Sequence, residues 1–136
     1  MMGLFDIFQK KTQSQIGKKE MFSEWLDTIL MVELPSEVKA INFNLYEDEE
    51  NTWSIELVGT SVFDENNDDW ACCEVFTTRD NPFVIEQVGV WQTIEELFTD
   101  WINDYLCNGT YARKLKEYEA VGIGFVDGDL KILVKR

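Results

Sequence analysis

Residues 93–109, TIEELFTDWINDYLCNG, and residues 121–134, VGIGFVDGDLKILV, decide the fold between them. In the first, Ile94, Leu97, Phe98, Trp101, Ile102, Tyr105 and Leu106 recur with a 3.6-residue period, which predicts a helix with one apolar face. Thr93 with Glu96 three residues on reads as a capping box, and Asn108-Gly109 as a left-handed C-terminal cap. In the second, apolar residues alternate on both sides of Asp127-Gly128, a two-residue hairpin signal of type I′. That turn sets Phe125 opposite Leu130, Ile123 opposite Ile132 and Val121 opposite Val134, all on one face. Gly122 and Gly124 fall on the other face, where a neighbouring element or a ligand comes close to the backbone. A short helix from Tyr111 to Tyr118 joins the two segments.

Upstream, Met21, Phe22, Trp25, Leu26, Ile29 and Leu30 form one helical stripe within Lys19–Met31, and Leu34-Pro35-Ser36 ends it. Ile41, Phe43 and Leu45 alternate with Asn42, Asn44 and Tyr46, and Trp53, Ile55 and Leu57 with Ser54, Glu56 and Val58. These are strand patterns. A blurred third runs from Trp70 to Thr78, and a fourth, opened by Pro82, from Phe83 to Val90. The order predicts an α+β fold: a single domain with a largely antiparallel sheet of five to six strands, helices packed on one face and a C-terminal β-hairpin. Residues 1–19 read as a basic, loosely packed leader, and residues 20–136 as the domain.

The chain has 136 residues, 45% of them apolar, which suits one packed domain. It carries 26 acids against 12 bases, net −14, and no histidine. Such a charge repels nucleic-acid phosphates and anionic lipid, and the missing histidine removes His-based triads and imidazole metal sites. Cys72, Cys73 and Cys107 are an odd set without Cys-x-x-Cys spacing, so a reducing, cytoplasmic setting is expected. No run is long enough for a membrane span. The composition and motifs assign no catalytic residue, cofactor or metal.

Acidic clusters are the candidate chemistry. Asp64-Glu65-Asn66-Asn67-Asp68-Asp69 begins like a calcium loop, but Asp69 stands where the turn glycine belongs and Val75 where the bidentate glutamate belongs. Glu47-Asp48-Glu49-Glu50 lies between the first two strands, at the other end of the second. Both runs also fit solvated hairpin tips. Glu56 and Glu74 each interrupt an apolar strand and form either an acid/base pair, as in glycoside hydrolysis, or part of a wet sheet face. That face would present Asn42, Asn44, Tyr46, Ser54, Glu56, Trp70, Cys72, Glu74 and Phe76, a mixture of acids and aromatics suited to protein binding.

The acid is concentrated. Residues 20–110 hold 21 acids against Lys39 and Arg79, while residues 1–19 and 111–136 are net basic. Glu96, Asp100 and Asp104 stack at i, i+4 spacing, repelling one another without an intervening lysine. This favours a basic protein partner that lands on the body rather than on the hairpin. Glu47, Asp48, Glu49, Glu50, Glu56, Asp64, Glu65, Asp68, Asp69, Trp70 and Glu74 are the candidate contacts.

In Asn51–Thr60, Asp68–Phe76 and Gly122–Leu130 the chain resembles small acidic bacterial immunity proteins of polymorphic and contact-dependent toxin systems, SUKH-type or barstar-like in kind. The resemblance is one of organisation and carries over no site residue. It implies a stoichiometric inhibitor that covers a basic nuclease-type toxin with acids. Two other classes fit the composition: a secretion chaperone or adaptor for an effector, and a carboxylate-based hydrolase using Glu56 and Glu74.

Overall fold

A computed structural model describes residues 17–136. Its elements are α1 (Lys18–Leu30), β1 (Ala40–Glu49), β2 (Thr52–Thr60), a 3₁₀ turn (Asp68–Cys72), β3 (Glu74–Thr77), β4 (Phe83–Glu86), α2 (Trp91–Asn108), α3 (Ala112–Lys116), β5 (Ala120–Phe125) and β6 (Lys131–Lys135). The fold is α+β with a six-stranded, mostly antiparallel sheet, as the patterning predicts. Of the leader expected over residues 1–19, residues 1–16 lie outside the described residues. Lys18 and Lys19 open α1: the Lys18 ammonium donates to Glu86 O at 2.7 Å, and Lys19 pairs with Asp104 at 3.3 Å. No helix among the described residues is long and apolar enough to cross a membrane.

Strand order is β3-β2-β1-β5-β6, with β4 also paired to β2. β3 and β4 run end to end along one edge of β2, β3 beside Val58–Thr60 and β4 beside Thr52–Ile55. Thr78 fills the gap between them: its N–H donates to Leu57 O at 3.0 Å and its hydroxyl accepts from Leu57 N at 2.9 Å. The backbone polar groups of a buried strand are thus satisfied across a break in the partner. α2 and α3 carry the chain to the other side of β1, where β5 pairs with it in parallel.

One sheet face meets the helices. Ile41, Phe43, Leu45, Trp53, Ile55, Leu57, Val121 and Ile123 pack there against Phe22, Leu26, Phe98 and Ile102, each of them fully or almost fully buried. Period-2 and period-3.6 stripes account for every one of these positions.

Three local expectations are corrected. α2 starts at Trp91 with Val90 as its N-cap, so Thr93 sits inside the first turn and there is no capping box. Trp91 packs edge-on against Phe125, with ring centroids 6.0 Å apart, and this contact favours the earlier start. Gly109 is extended (φ −68°, ψ 154°) instead of left-handed. A side chain there would strike the Tyr105 ring, since an added Cβ falls 2.6 Å from it. The hairpin loop is wider than a type I′ turn, and no glycine has positive φ among the described residues. Val121 does oppose Val134, but a bulge then sets Gly122 against Ile132 and Ile123 against Lys131. The glycines face a neighbouring element: a Cβ on Gly124 would lie 2.6 Å from Asp129 O, on the hairpin's own returning arm.

Candidate functional site

The second sheet face is wet only in part: Cys72 and Glu74 are exposed and Asn44, Tyr46 and Phe76 half-buried. Asn42, Ser54, Glu56 and Trp70 are all buried, the last two at 1% and 2% exposure. The segment between β2 and β3 folds back over this face, and Trp70 packs with Ala40, Ala120, Phe63 and Leu130 into a second small core. Trp70 therefore anchors its loop and offers nothing to a partner's surface. Glu56 is likewise no surface contact.

Alternation on β1 turns Asn42, Asn44 and Tyr46 to this face, and Glu56 on β2 sits directly across from Asn44. The four form a ladder. Asn42 Nδ2 donates to Asn44 Oδ1 at 2.7 Å, and Asn44 Nδ2 to Glu56 Oε1 at 3.1 Å; the Tyr46 hydroxyl donates to Glu56 Oε1 at 2.5 Å. Arg79, in the break between β3 and β4, closes it. Its Nε reaches Glu56 Oε2 at 3.1 Å and its Nη2 reaches Glu56 Oε1 at 3.0 Å and Glu74 Oε2 at 2.7 Å.

Electrostatics follow from this geometry. Burial pushes the Glu56 carboxyl up, but donors from Arg79, Tyr46 and Asn44 outweigh it and leave it below its ordinary 4.5. Hydrogen bonds from Arg79 to Glu56 and then Glu74 hold the guanidinium charged more firmly than usual. Burial, then the bond to Glu56, raises the Tyr46 phenol above 10. Arg79 was not among the residues expected at a site. The signal was available: it is one of two bases among 21 acids in residues 20–110.

Two adjoining hollows open beside the ladder. One, about 470 Å³, is lined by Asn42, Asn44, Tyr46, Asp68, Asp69, Cys72, Glu74 and Arg79, with Leu130 at its wall. The other, about 540 Å³, is lined by Tyr46, Glu47, Trp91, Glu95, Phe125, Asp127 and Asp129. They share Tyr46, Phe125, Val126 and Gly128, so the hairpin turn stands between them. Seven acids and one base line the pair, and that base is engaged with Glu56 and Glu74. Trp91 and Val126, both more than half exposed, supply apolar surface.

The expected acidic contacts are thereby sorted. Asp68, Asp69 and Glu74 come together at the first hollow, and Glu47 reaches the second. Asp48 accepts from Ser54 Oγ at 3.2 Å, while Glu49 and Glu50 line a separate shallow hollow with Thr52 and Glu86. Asp64 makes a turn, its Oδ1 accepting from Asn66 N at 2.9 Å, and Glu65 pairs with Lys135. The two acidic runs are not wholly apart, since the fold-back brings Asp68 and Asp69 beside Tyr46. The hairpin tip also joins the acidic rim through Asp127 and Asp129. Among the described residues no group of three or more His, Cys, Asp or Glu is arranged to hold a metal ion, and the three cysteines are free and exposed. Compared with protein-family models, curated proteins and solved structures, the chain gives no significant match.

Proposed function

We propose that this chain is an acidic protein-binding module that neutralises a basic, nuclease-type toxin by stoichiometric binding, in the manner of an immunity protein. The observation that supports this reading is the paired hollows, lined together by seven acids, the exposed Trp91 and a single committed arginine. Desolvated aromatic anchors within a charged rim are the usual makeup of a specific interface. The acid is also largely uncompensated: among the described residues, salt bridges reach only Glu56, Glu65, Glu74, Glu95 and Asp104 of the 21 acids in residues 20–110. The landing surface includes the hairpin tip as well as the body.

The carboxylate pair is poorly suited to the hydrolase reading. Glu56 is 1% exposed, and Arg79, Tyr46 and Asn44 occupy both of its oxygens, so neither oxygen is offered to a substrate as acid, base or nucleophile. The proposed function predicts that a gene beside this one encodes a basic nuclease-type toxin, and its test is reconstitution with that product; neighbouring genes without such a toxin refute it. A 1:1 complex that abolishes that product's toxicity on co-expression is expected; toxicity unrelieved by an excess of this chain refutes it.

A further inference from the structure

The start of α1 is tied to one edge of the sheet. Lys18 Nζ donates to Glu86 O at 2.7 Å and to Gln87 Oε1 at 3.0 Å, so residues 1–16 join the domain beside the end of β4. Directly beyond Gln87 the surface turns apolar. Val88 is 80% exposed, and Val90 and Trp91 are each more than half exposed. Single exposed apolar residues are common, but three within four positions make a patch of the kind that another surface covers. Trp91 is four residues from Gln87 and so within about 14 Å of it.

Acids border this patch. Glu49, Glu50 and Glu86 share a hollow with Val88, and Glu47 and Glu95 line another with Trp91. Of these five, only Glu95 has a cationic partner among the described residues. An apolar patch bordered by acids fits an occupant that is both apolar and basic, and the chain carries one. Residues 1–16 hold Met1, Met2, Leu4, Phe5, Ile7 and Phe8, then Lys10 and Lys11, against the single acid Asp6. Phe8 is ten residues from Lys18, a span of up to about 35 Å, so the patch is within reach. The peptide bond to Gly17 keeps this segment beside the patch at an effective concentration on the order of millimolar. A second copy has no such advantage, and its net charge of −14 repels an equal charge.

We propose that Val88, Val90 and Trp91 are the seat of the chain's own N-terminal segment, with Leu4, Phe5, Ile7 and Phe8 covering the patch and Lys10 and Lys11 facing Glu49, Glu50 and Glu86. This goes beyond the toxin-binding reading and does not depend on it. Trp91 also lines the acidic hollow, so docking there sets the segment in competition with a basic partner. The test is ¹⁵N NMR of the full chain in three forms. Relative to the parent, Phe5→Ser with Phe8→Ser should shift the amide resonances of Gln87, Val88, Gly89, Val90 and Trp91 and the Trp91 indole N–H. Val88→Ser, at a side chain that supports no core, should in turn shift amides within residues 4–11. Both sets of shifts should survive roughly tenfold dilution, as a contact within one chain does. Resonances of Gln87–Trp91 that ignore the Phe5 and Phe8 substitutions overturn the inference, as do residues 4–11 that ignore Val88→Ser. Shifts that fade on dilution overturn it in favour of a second copy as the occupant.

Discussion

Removing Arg79 tests whether the buried carboxylate depends on its half-exposed partner. Arg79→Met leaves Glu56, 1% exposed, with donors from Asn44 and Tyr46 but no cation. Breaking a fully buried ion pair from one side costs about 3–5 kcal/mol. The Arg79 side chain is 52% exposed, so water screens part of the pair and relieves part of the loss. We therefore expect roughly 1–3 kcal/mol, or on the order of 3–5 °C of Tm per kcal/mol for a chain of this length. Glu56→Gln should cost a similar amount, because its NH₂ then faces the guanidinium donors. The double variant should cost little more than either single one, since the amide oxygen introduced in place of the carboxylate keeps its bonds from Tyr46 and Asn44. Urea unfolding followed by tryptophan fluorescence gives the four stabilities, and a coupling of about 1 kcal/mol or more is expected. Coupling within about 0.3 kcal/mol would mean that Arg79 is effectively solvated and that the ladder holds Glu56 without it.

Stability should also depend on pH through Glu56. Its folded pKa lies below the ordinary 4.5, so its contribution is complete above that value and is lost as pH falls through the folded one. Urea midpoints of the parent and Glu56→Gln should converge between about pH 5 and pH 3; a constant gap would contradict the assigned donors. Gly124→Ala places a Cβ 2.6 Å from Asp129 O and should cost about 1–3 kcal/mol, whereas Gly89→Ala meets nothing closer than 3.6 Å and should stay within about 0.5 kcal/mol. Equal effects on thermal unfolding would show that the returning arm does not lie against β5. Trp70→Ala removes the anchor of the second core and should cost about 2–4 kcal/mol. The Ser61 amide, bonded to Cys73 O at 3.0 Å, should then lose hydrogen-exchange protection; unchanged protection would mean the loop is held from elsewhere.

The helices and the strands that form the main core were legible because one buried face imposes a period on each of them. Tyr105, Ile102 and Phe98 on α2 and Ile41, Phe43 and Leu45 on β1 follow that rule without exception. Ends were less legible, since tertiary contacts override local signals: Trp91 reaches Phe125 and moves the start of α2, and Leu130 leaves the hairpin ladder for the Trp70 cluster. The parallel pairing of β1 with β5 joins residues about eighty positions apart, and no local pattern encodes it. The site was half legible. Glu56 and Glu74 stood out as charges in apolar strands, but their meeting through Arg79 depends on β3 and β4 sharing one edge of β2. The same long-range packing turned part of an expected wet face into a polar ladder buried at Asn42 and Glu56 and half-open at Asn44 and Tyr46.

Under the proposed function, the exposed acids steer and hold a basic protein. The association rate with the basic product of the adjacent gene, followed by stopped-flow fluorescence across a salt series, reads that steering without an intermediary. We expect the rate to fall at least about tenfold between low and physiological salt, and Glu47→Gln with Asp68→Asn and Asp69→Asn to slow binding at low salt and flatten that dependence. A rate indifferent to both salt and these substitutions would contradict it.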